Sequence, residues 1–544
     1  MSLALPAIAI ETNSSVARWR RALAVLIEAV EDGWAIPALL AGFVVVWMAY
    51  LSIAYVGGDL HQDVIETWSL GRSFDWGSSK HPPLMAWVAR AWTTVFPLTD
   101  WSFNLLALTN GAIGLWGVDL ITRRFARGDK RLVVLLLLML LPIYQLHAQR
   151  FNANAVLLSS WPLATYCFLR SFETRSAGWA VAAGLTAALA MLGKYYSIFL
   201  IGSFAIAALC HRERRAYFTA WAPWIAAFSG LAALAPHLYW LATTGAQPFS
   251  HAIQHHVGKT PMAAVIEALG FVLAMAALVG IPGLIWLAMT RPRPARLVND
   301  ALSLHSGLRL LAVISIGTIV LPALTSAMFG TDMPPLWGLQ GVFLFVLVIV
   351  CGASYGAPRE MTVNLAAVVI GISALAVLAA APLHAVYRNY LPLSEGRNFY
   401  EPAAAELTQL WHAASDNPLP AVGGDDGLAF AAEFYSPDHP RYEISLVHPH
   451  ELQLPSEART AQGWAALCYD TDVSCISGMQ AAAAQARRSV RAEFTLRTNL
   501  LGWPGASQGF IALIVPPDIA PTAAPADQPL QDFGARRRAR SAEN

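Results

Sequence analysis

Ionisable residues are concentrated in residues 57–84, a stretch that follows the first long apolar segment of the chain. A carboxylate can remove a proton from a hydroxyl group, and nearby cations can stabilise an anionic leaving group. Ionisable groups between hydrophobic segments are costly unless they lie at a wet, functional surface. The stretch contains the following acids, histidines and cations: Asp59, Asp63, Glu66, Asp75, His61, His81, Arg72 and Lys80. We therefore expect the chemistry of this protein to depend on residues 57–84.

The composition of the chain is that of a membrane protein. Of its 544 residues, 56% are hydrophobic and 13% are charged, whereas charged residues make up about 25% of soluble proteins. The net charge of +1 argues against a nucleic-acid partner. The composition therefore predicts the lipid bilayer as the surroundings of most of the chain.

Apolar runs of about 20 residues predict about eleven membrane-spanning helices. These runs lie near residues 34–56, 102–122, 132–147, 153–170, 178–193, 196–211, 217–242, 263–289, 308–329, 334–354 and 362–386. The run 83–96 is shorter and contains Arg90, so we expect a helix that lies in the membrane interface. The run from Trp34 to Val56 is too long for the core of a cleaved signal peptide.

Basic residues occupy alternate loops between the predicted spans. Clusters follow the second, fourth, sixth, eighth and tenth spans and include Arg123, Arg124, Arg170, Arg175, Arg212, Arg214, Arg215, Arg291, Arg293, Arg296 and Arg359. By the positive-inside rule, these loops and the N-terminal segment 1–33 are predicted to be cytoplasmic. The loop 57–97 then faces the periplasm.

The composition changes after residue 387, where the predicted transmembrane domain (residues 34–387) ends. A helix-like run at 403–414 and strand-like runs at 442–447, 490–497 and 510–515 predict a small periplasmic α/β domain over residues 388–517. Cys468 and Cys475 lie in this domain and either form a disulfide or remain free thiols. Residues 518–544 are rich in proline and alanine and end in arginines, so we expect a disordered basic tail.

The first loop resembles that of the C-type (GT-C) glycosyltransferases. This superfamily includes the protein mannosyltransferases of glycosyltransferase family 39 and the transferase that adds aminoarabinose to lipid A. Asp63 is followed by His81-Pro82-Pro83-Leu84, and the family has an acidic pair followed by a proline-containing turn. Val64 stands where the second acid is usual. The resemblance covers roughly residues 50–260 and implies a GT-C-like membrane domain.

The resemblance implies an enzyme that moves a sugar from a polyprenyl-phosphate donor to a periplasmic glycan, lipid or protein, with Asp63 as the general base. A solvated loop acid is the alternative interpretation of Asp63. Asp59 is the competing base, although it could instead cap the next helix. Glu66 lies three residues after Asp63, on the same face of a helix, and could share the site.

The resemblance also indicates residues that bind substrate. Asn154 stands where many relatives have a second Asp, with Asn152 just before it, and an amide can orient a hydroxyl but cannot act as a base. Helix capping is the alternative role for Asn152. Lys194 and Tyr195 follow Gly193 as in a Gly-Lys-Tyr signature of the family, which implies a phosphate contact. A lysine that extends to the membrane interface is the alternative.

Other residues are also candidates for substrate binding. Arg150 and Lys80 are possible cations for the donor phosphate, and His81 either donates to phosphate or caps a turn. His237 follows Pro236, which we expect to break the helix. His237 either binds substrate or is a core histidine with all its hydrogen bonds satisfied. The segment 332–337 is expected to lie over a lipid-entry groove.

No cofactor is expected from the sequence. His251 and His255 are four residues apart, a spacing that can hold zinc, but no matching third ligand is evident. We therefore expect no metal site, while a divalent cation stays open. A P-loop or dinucleotide-binding glycine pattern in a strand-to-helix context is missing from the sequence, which favours a lipid-linked donor over a nucleotide sugar.

Two other functions remain open. A transporter or flippase of lipid-linked saccharides would have the same spans, but it would more often have charged or broken segments at mid-membrane in both halves. The ionisable residues here cluster in loops of the N-terminal half, which favours the enzyme. A non-catalytic lipid-binding scaffold is the third interpretation, suggested by Val64 and Asn154.

The charge alternation makes a prediction about membrane topology. Reporter fusions after Gly128 and after Gly463 should report opposite compartments, cytoplasmic for the first and periplasmic for the second, because an odd number of spans separates the two positions. Compartment-specific enzyme reporters would measure this in intact cells. If both fusions report the same compartment, the span count is wrong.

Overall fold

The structure is a computed structural model that describes residues 14–246, 248–249, 258, 260–392, 399–443, 462–484 and 486–517. The described residues form two compact units. The first contains those before Phe399 together with Thr498–Ala506. The second contains those of Phe399–Arg497 and those from Ser507 onward.

The first unit is helical. Its helices, in chain order, are α1 Ser14–Glu28, α2 Ala35–Ala54, α3 Gln62–Gly71, α4 Leu84–Thr93, α5 Asp100–Thr122, α6 Asp129–Met139, α7 Pro142–Gln145, α8 Leu157–Thr174, α9 Ala177–Gly193, α10 Ile198–Cys210, α11 Arg214–Phe218, α12 Ala222–Thr243, α13 Pro261–Thr290, α14 Pro294–Leu302, α15 Ser306–Phe329, α16 Val342–Gly352, α17 Arg359–Leu375 and α18 Ala381–Tyr390. Short 3-10 turns at His147–Gln149, Tyr195–Ser197, Pro335–Trp337 and Leu339–Gly341 connect some of them, and a π-helical turn, Ala376–Ala380, joins α17 to α18.

Seven helical segments of the described chain are long and apolar enough to cross a membrane. They are Ala35–Ala54, Asp100–Thr122, Ala222–Thr243, Pro261–Thr290, Ser306–Phe329, Pro335–Gly352 and Arg359–Tyr390. A pair of helical segments, Asp129–Met139 and Pro142–Gln149, bent by 67°, would make eight. The chain is therefore a multi-pass membrane protein.

Each of the eleven predicted spans coincides with helical structure, but the number of crossings remains a prediction. Helix α10 has 13 residues, and at 1.5 Å per residue it is about 20 Å long, shorter than a hydrocarbon core of about 30 Å. Helix α9 has 17 residues and is also among the shorter apolar helices. The run predicted to lie in the interface forms the ten-residue helix α4, which is too short to cross.

Ion pairs connect the basic loops to one another. The pairs that join different loops are Arg124–Glu173 at 3.1 Å, Arg175–Glu213 at 2.9 Å, Arg359–Asp129 at 2.8 Å and Arg359–Glu28 at 3.3 Å. Such distances require these loops to lie at the same end of the helical unit, which we call the basic end. The charge alternation along the sequence therefore corresponds to a spatial separation of the loops.

Glycines allow helices α8 and α9 to pack closely against neighbouring helices. A Cβ atom at Gly114 of α5 would clash with the Leu158 carbonyl of α8, and one at Gly184 of α9 would clash with the Ala226 carbonyl of α12. Glycine at such positions lets helix backbones approach closely, which is a common packing mode between membrane helices. Both helices run between the basic end and the opposite end, where the candidate site lies.

The second unit contains most of a five-stranded sheet together with helices α19 Tyr400–His412, α20 Asp426–Tyr435 and α21 Val473–Ala483. Its strands are β1 Ala421–Gly424, β2 Arg441–Tyr442, β3 Trp464–Tyr469, β4 Val490–Leu500 and β5 Trp503–Val515, in the spatial order β2-β1-β3-β5-β4. Strand β1 is parallel to β2 and β3, with Val422 opposite Ala465, and β3 is antiparallel to β5. The predicted runs at 490–497 and 510–515 fall within β4 and β5. Residues 444–447 of the other predicted run, and the tail 518–544, lie outside the described residues.

A disulfide joins Cys468 of β3 to Cys475 of α21, so the pairing considered from the sequence is present. Both residues are buried beside Met479 and Leu513 in the core of this unit. In the chain-entropy view, a cross-link over so short a loop stabilises the folded state by about 2–3 kcal/mol. The other cysteines of the chain, Cys167, Cys210 and Cys351, are free.

Candidate active site

Asp63 lies at the start of helix α3. The helix begins at Gln62, and Nδ1 of His61 caps it by accepting a hydrogen bond from the Asp63 N–H at 3.2 Å. A carboxylate in the first turn is stabilised by the partial positive charge of the helix N-terminus. The Asp63 side chain is 49% exposed, so it is open to a substrate. His61, and not Asp59, caps this helix, and the expectation for Asp59 as a cap is wrong.

The amide of Asn152 orients the Asp63 carboxylate. Its Oδ1 accepts hydrogen bonds from the backbone N–H groups of Asn154 at 3.0 Å and Ala155 at 2.9 Å. Because the oxygen is used in this turn, the NH₂ group points the other way and donates to Asp63 Oδ2 at 3.1 Å. Asn152 therefore closes the turn before α8 but does not cap that helix, whose N-cap residue is Val156.

Lys194 follows helix α9 and contacts the turn that contains Asn152 and Asn154. Helix α9 ends at Gly193 because Lys194 is extended, with φ −162° and ψ 137°, and the next helical turn starts at Tyr195. The Lys194 ammonium donates a hydrogen bond to Oδ1 of Asn154. The residues Asp63, Asn152, Asn154 and Lys194 thus form one connected set, which we call the Asp63–Lys194 site.

The Lys194 ammonium is buried, and its charge is perturbed. Burial lowers the pKa of Lys194 to about 8, and the nearby negative charge of Asp63 opposes this shift. The ammonium nitrogen lies 4.8 Å from the centre of the Trp337 ring, a cation–π contact that favours the charged form. A buried lysine with a lowered pKa is a common feature of functional sites.

Two contacts from the segment after α15 were not expected from the sequence. Trp337 contacts Lys194, and the Gln340 side chain donates to the Asn154 carbonyl at 3.3 Å. The sequence predicts only that residues 332–337 lie over a lipid-entry groove. Its Pro-Pro-Leu-Trp composition was the available signal for a rigid turn that carries an aromatic side chain.

His147 was also missed, because it lies at the end of a predicted span. Its ring interacts electrostatically with Asp63, Arg150 and Lys194. Its Nε2 is buried and has no hydrogen-bond partner among the described residues. A polar atom of this kind within the site is available to a bound substrate.

Arg150 is a further cation near His147, and its role in binding the donor phosphate stays a prediction. It lies next to His147, close enough for an electrostatic interaction. Its guanidinium makes no hydrogen bond or ion pair with any residue that the structure describes. Since arginine is always charged and suits phosphate geometry, Arg150 can accept an anionic ligand.

The other predicted carboxylates lie elsewhere. Glu66 is buried and pairs with Lys80 at 3.2 Å, so the two predicted residues meet each other. Asp59 is 5% exposed and borders a separate cavity of about 140 Å³, together with Tyr55 and Asp100. The structure therefore gives Asp63, and not Asp59 or Glu66, the contact with Asn152.

His237 and Tyr195 hold the first loop in place. The His237 ring is bonded to the Tyr195 hydroxyl at 2.9 Å through Nε2 and to the Trp76 carbonyl through Nδ1. Both ring nitrogens are used, which agrees with a core histidine. Helix α12 continues through Pro236, so the expected break is absent. The physical reason is that neighbouring packing can support a proline inside a membrane helix.

The remaining predicted groups contribute less. The His81 backbone closes a turn with Ser78, whose N–H donates to the His81 carbonyl at 3.0 Å. His251, His255 and His256 lie outside the described residues. Within the described part of the chain, no group of three or more His, Cys, Asp or Glu residues could hold a metal ion.

Residues 80–240 match the family described as Dolichyl-phosphate-mannose-protein mannosyltransferase. The matched range contains Arg150, Asn152, Asn154 and Lys194 and begins after Asp63. No curated protein matches the chain.

The fold is similar to that of ArnT from Cupriavidus metallidurans. The structure of ArnT bound to undecaprenyl phosphate aligns with a TM-score of 0.55 and 15% identity, over 91% of this chain and 99% of that chain. The apo state of ArnT aligns with a TM-score of 0.54 and 14% identity, over 87% and 98%. The Archaeoglobus fulgidus oligosaccharyltransferase aligns with a TM-score of only 0.37 and 12% identity, over 74% and 62%, which is too low to support a conclusion.

At these identities, the similarity to ArnT concerns the fold. Together with the family match, it confirms the resemblance to the C-type glycosyltransferases that the first loop and the Gly-Lys-Tyr turn indicated.

The contact between Asn152 and Asp63 predicts a pH-dependent effect on stability. In Asn152→Asp, two carboxylates would face each other, so the free energy of unfolding near pH 7 should fall by roughly 1 kcal/mol, a value reduced by the exposure of Asp63. The loss should disappear below about pH 5, where one carboxyl group of the pair keeps a proton. Thermal unfolding of the purified protein over pH 4–8 would measure it.

The double variant Asp63→Asn with Asn152→Asp provides the control. It exchanges the carboxylate and the amide and should recover most of the stability at pH 7, because one donor and one acceptor face each other again. A pH-independent loss in Asn152→Asp, or no recovery in the exchanged variant, would contradict the contact.

Proposed function

We propose that this chain is an integral-membrane glycosyltransferase that moves a sugar from a polyprenyl-phosphate donor to an acceptor hydroxyl on a glycan, lipid or protein. The observation that supports this most directly is the Asp63–Lys194 site, where a half-exposed carboxylate and a buried ammonium are held apart by two amides. The family match and the fold provide the context.

In the proposed reaction, Asp63 accepts the proton of the acceptor hydroxyl while the acceptor oxygen forms a bond to the anomeric carbon. The bond between that carbon and the donor phosphate oxygen breaks, and the polyprenyl phosphate leaves with one more negative charge than the donor had. Lys194 and Arg150 would stabilise this charge, which is greatest late in the reaction. Asn152 keeps the carboxylate turned toward the acceptor.

The lipid donor is supported by the fold and by the cations of the site. ArnT, which has a similar fold, has been solved bound to undecaprenyl phosphate. In this chain, Lys194 and Arg150 are cations that a phosphate could contact, and neither is neutralised by an ion pair with a described residue. His147 Nε2 offers a further polar contact.

The orientation in the membrane is part of the proposal. The basic end would face the cytoplasm, and the Asp63–Lys194 site would face the periplasm of a bacterial inner membrane. The second unit would then be periplasmic, a compartment in which the Cys468–Cys475 disulfide persists.

A transporter of lipid-linked saccharides is the alternative. It would need a polar pathway that continues from one end of the helical unit to the other. In this chain the groups that suit catalysis are gathered at one end, while the ion pairs between loops lie at the other. This distribution favours a reaction over passage.

The first functional prediction concerns Asp63. Asp63→Asn keeps the size of the side chain and a hydrogen-bonding group for Asn152, so the protein should fold and still bind the donor lipid. Sugar transfer should fall by at least about 100-fold, because a general base contributes roughly 10²–10⁴-fold. Mass profiling of lipids and glycans in a deletion strain would identify the missing sugar, and complementation with each variant would measure transfer.

Asp59→Asn and Glu66→Gln are matched controls that each remove one carboxylate of the same loop. Both should retain more transfer than Asp63→Asn when the variants are inserted in the membrane at equal levels. Near-normal transfer in Asp63→Asn together with loss in Asp59→Asn would move the base to Asp59. A lipid-linked saccharide that still changes leaflets in Asp63→Asn, with no sugar transfer by the wild type, would favour the transporter.

The second functional prediction uses the pKa of Lys194. Since only the charged lysine attracts phosphate, binding of polyprenyl phosphate should weaken as the pH rises through about 8. The dissociation constant should rise up to about tenfold between pH 8 and pH 9. Lys194→Arg, which stays charged, should bind with little change over this range, and Lys194→Met should bind weakly throughout. If binding by Lys194→Arg weakens between pH 8 and pH 9 as it does in the wild type, Lys194 is not the titrating group.

A further inference from the structure

A second cavity lies at the basic end, away from the Asp63–Lys194 site. It is formed where helix α13 ends, by the residues that lead into α14, and by the turn Ser354–Gly356. Its volume is about 620 Å³, which is within the range of small-ligand sites, roughly 300–1,000 Å³.

Three arginines line this cavity: Arg291, Arg293 and Arg296. The guanidinium groups of Arg291 and Arg293 make no hydrogen bond or ion pair with any described residue. Arg296 lies over the Tyr355 ring at 5.9 Å. The acid of the lining, Asp300, accepts a hydrogen bond from the Ser354 N–H at 3.0 Å. The cavity therefore carries an excess of positive charge.

The wall of the cavity formed by α14 is amphipathic. None of the nine residues of this helix is buried, and its apolar side chains Leu297, Val298 and Leu302 are 36%, 58% and 74% exposed. A helix with an exposed apolar face beside arginines is typical of a segment that lies in the membrane interface. Trp286 stacks on Tyr355 at 5.8 Å at this level, and aromatic residues are enriched at such interfaces.

The neighbouring helix provides an apolar surface that leads to the cavity. Helix α13 is a candidate membrane span with only 22% of its most apolar window buried. Its side chains Ile281 and Leu284, close to the end at Thr290, are 47% and 67% exposed. Acyl chains can pack against this surface while a headgroup reaches the arginines.

We propose that this cavity binds the phosphate headgroup of an anionic phospholipid. Arginine forms bidentate hydrogen bonds with phosphate, and basic pockets beside membrane helices recognise anionic headgroups. The exposed apolar residues of α13 and α14 favour a lipid over free phosphate, since an inorganic ion would use only the arginines. The inference does not depend on the proposed glycosyltransferase activity.

The test is a comparison of lipid binding by three forms of the full-length protein purified in detergent. They are the wild type, the cavity variant Arg291→Gln/Arg293→Gln/Arg296→Gln, and the control variant Arg212→Gln/Arg214→Gln/Arg215→Gln. The control loses the same three charges from another basic loop, and its arginines are exposed and do not line the cavity. Phosphatidylglycerol, phosphatidylcholine and inorganic phosphate are titrated, with native mass spectrometry and thermal unfolding as measurements.

Phosphatidylglycerol should bind the wild type and the control variant with similar affinity and the cavity variant at least about tenfold more weakly, because each arginine near an anionic headgroup contributes several-fold. Phosphatidylcholine should bind all three forms weakly. Equal binding of phosphatidylglycerol by the cavity variant would overturn the proposal, and so would an equal loss in the control variant. Displacement of phosphatidylglycerol by millimolar phosphate would show a site for a free anion and would also overturn it.

Discussion

The candidate site depends on the orientation of one amide. Oδ1 of Asn152 accepts two backbone N–H groups in the turn before α8, so its NH₂ group has a single direction available, toward Asp63. A carboxylate in place of this amide would repel Asp63 and raise the pKa of one of the two acids. Because Asn152 is neutral and donates a hydrogen bond, it orients the Asp63 carboxylate without repelling it.

The second amide, that of Asn154, has a comparable effect on the cation. It accepts the hydrogen bond from Lys194, so the ammonium is held without a direct ion pair to Asp63. A direct ion pair would neutralise the carboxylate and the ammonium and weaken the interaction of each group with a substrate. With two amides between them, the carboxylate and the ammonium influence each other through space, and each keeps capacity for a ligand. Such an arrangement suits a reaction in which one group takes a proton and another group stabilises a departing anion.

Helices α8 and α9 position two of the side chains of this site. Asn154 precedes α8 and Lys194 follows α9, so the separation of their side chains is determined by how these helices pack. Glycines at 114 and 184 allow close contact with α5 and α12, and ion pairs such as Arg175–Glu213 connect the loops at the basic end. The catalytic proposal concerns the end of the helical unit where Lys194 follows α9, and the lipid proposal concerns the basic end, at helices α13 and α14.

The sequence by itself determined the features that depend on local composition. Apolar length located the helices, and loop charges identified a set of basic loops that the ion pairs bring together in space. Local spacing indicated the first loop, the turn at Lys194 and the pair Cys468–Cys475. These signals arise within about 20 neighbouring residues, where hydropathy and helix length are sufficient to read them.

Only the tertiary structure decided which side chains meet. It joined Asn152 to Asp63, brought Trp337 onto Lys194, placed His147 among them, and separated Asp59 from Asp63. It also left α12 continuous through Pro236 and used His237 to hold the Trp76 carbonyl. These contacts join residues that are distant in the chain, and they result from the packing of whole helices. No pattern along a single segment contains that information, because it depends on the surfaces of all the helices together.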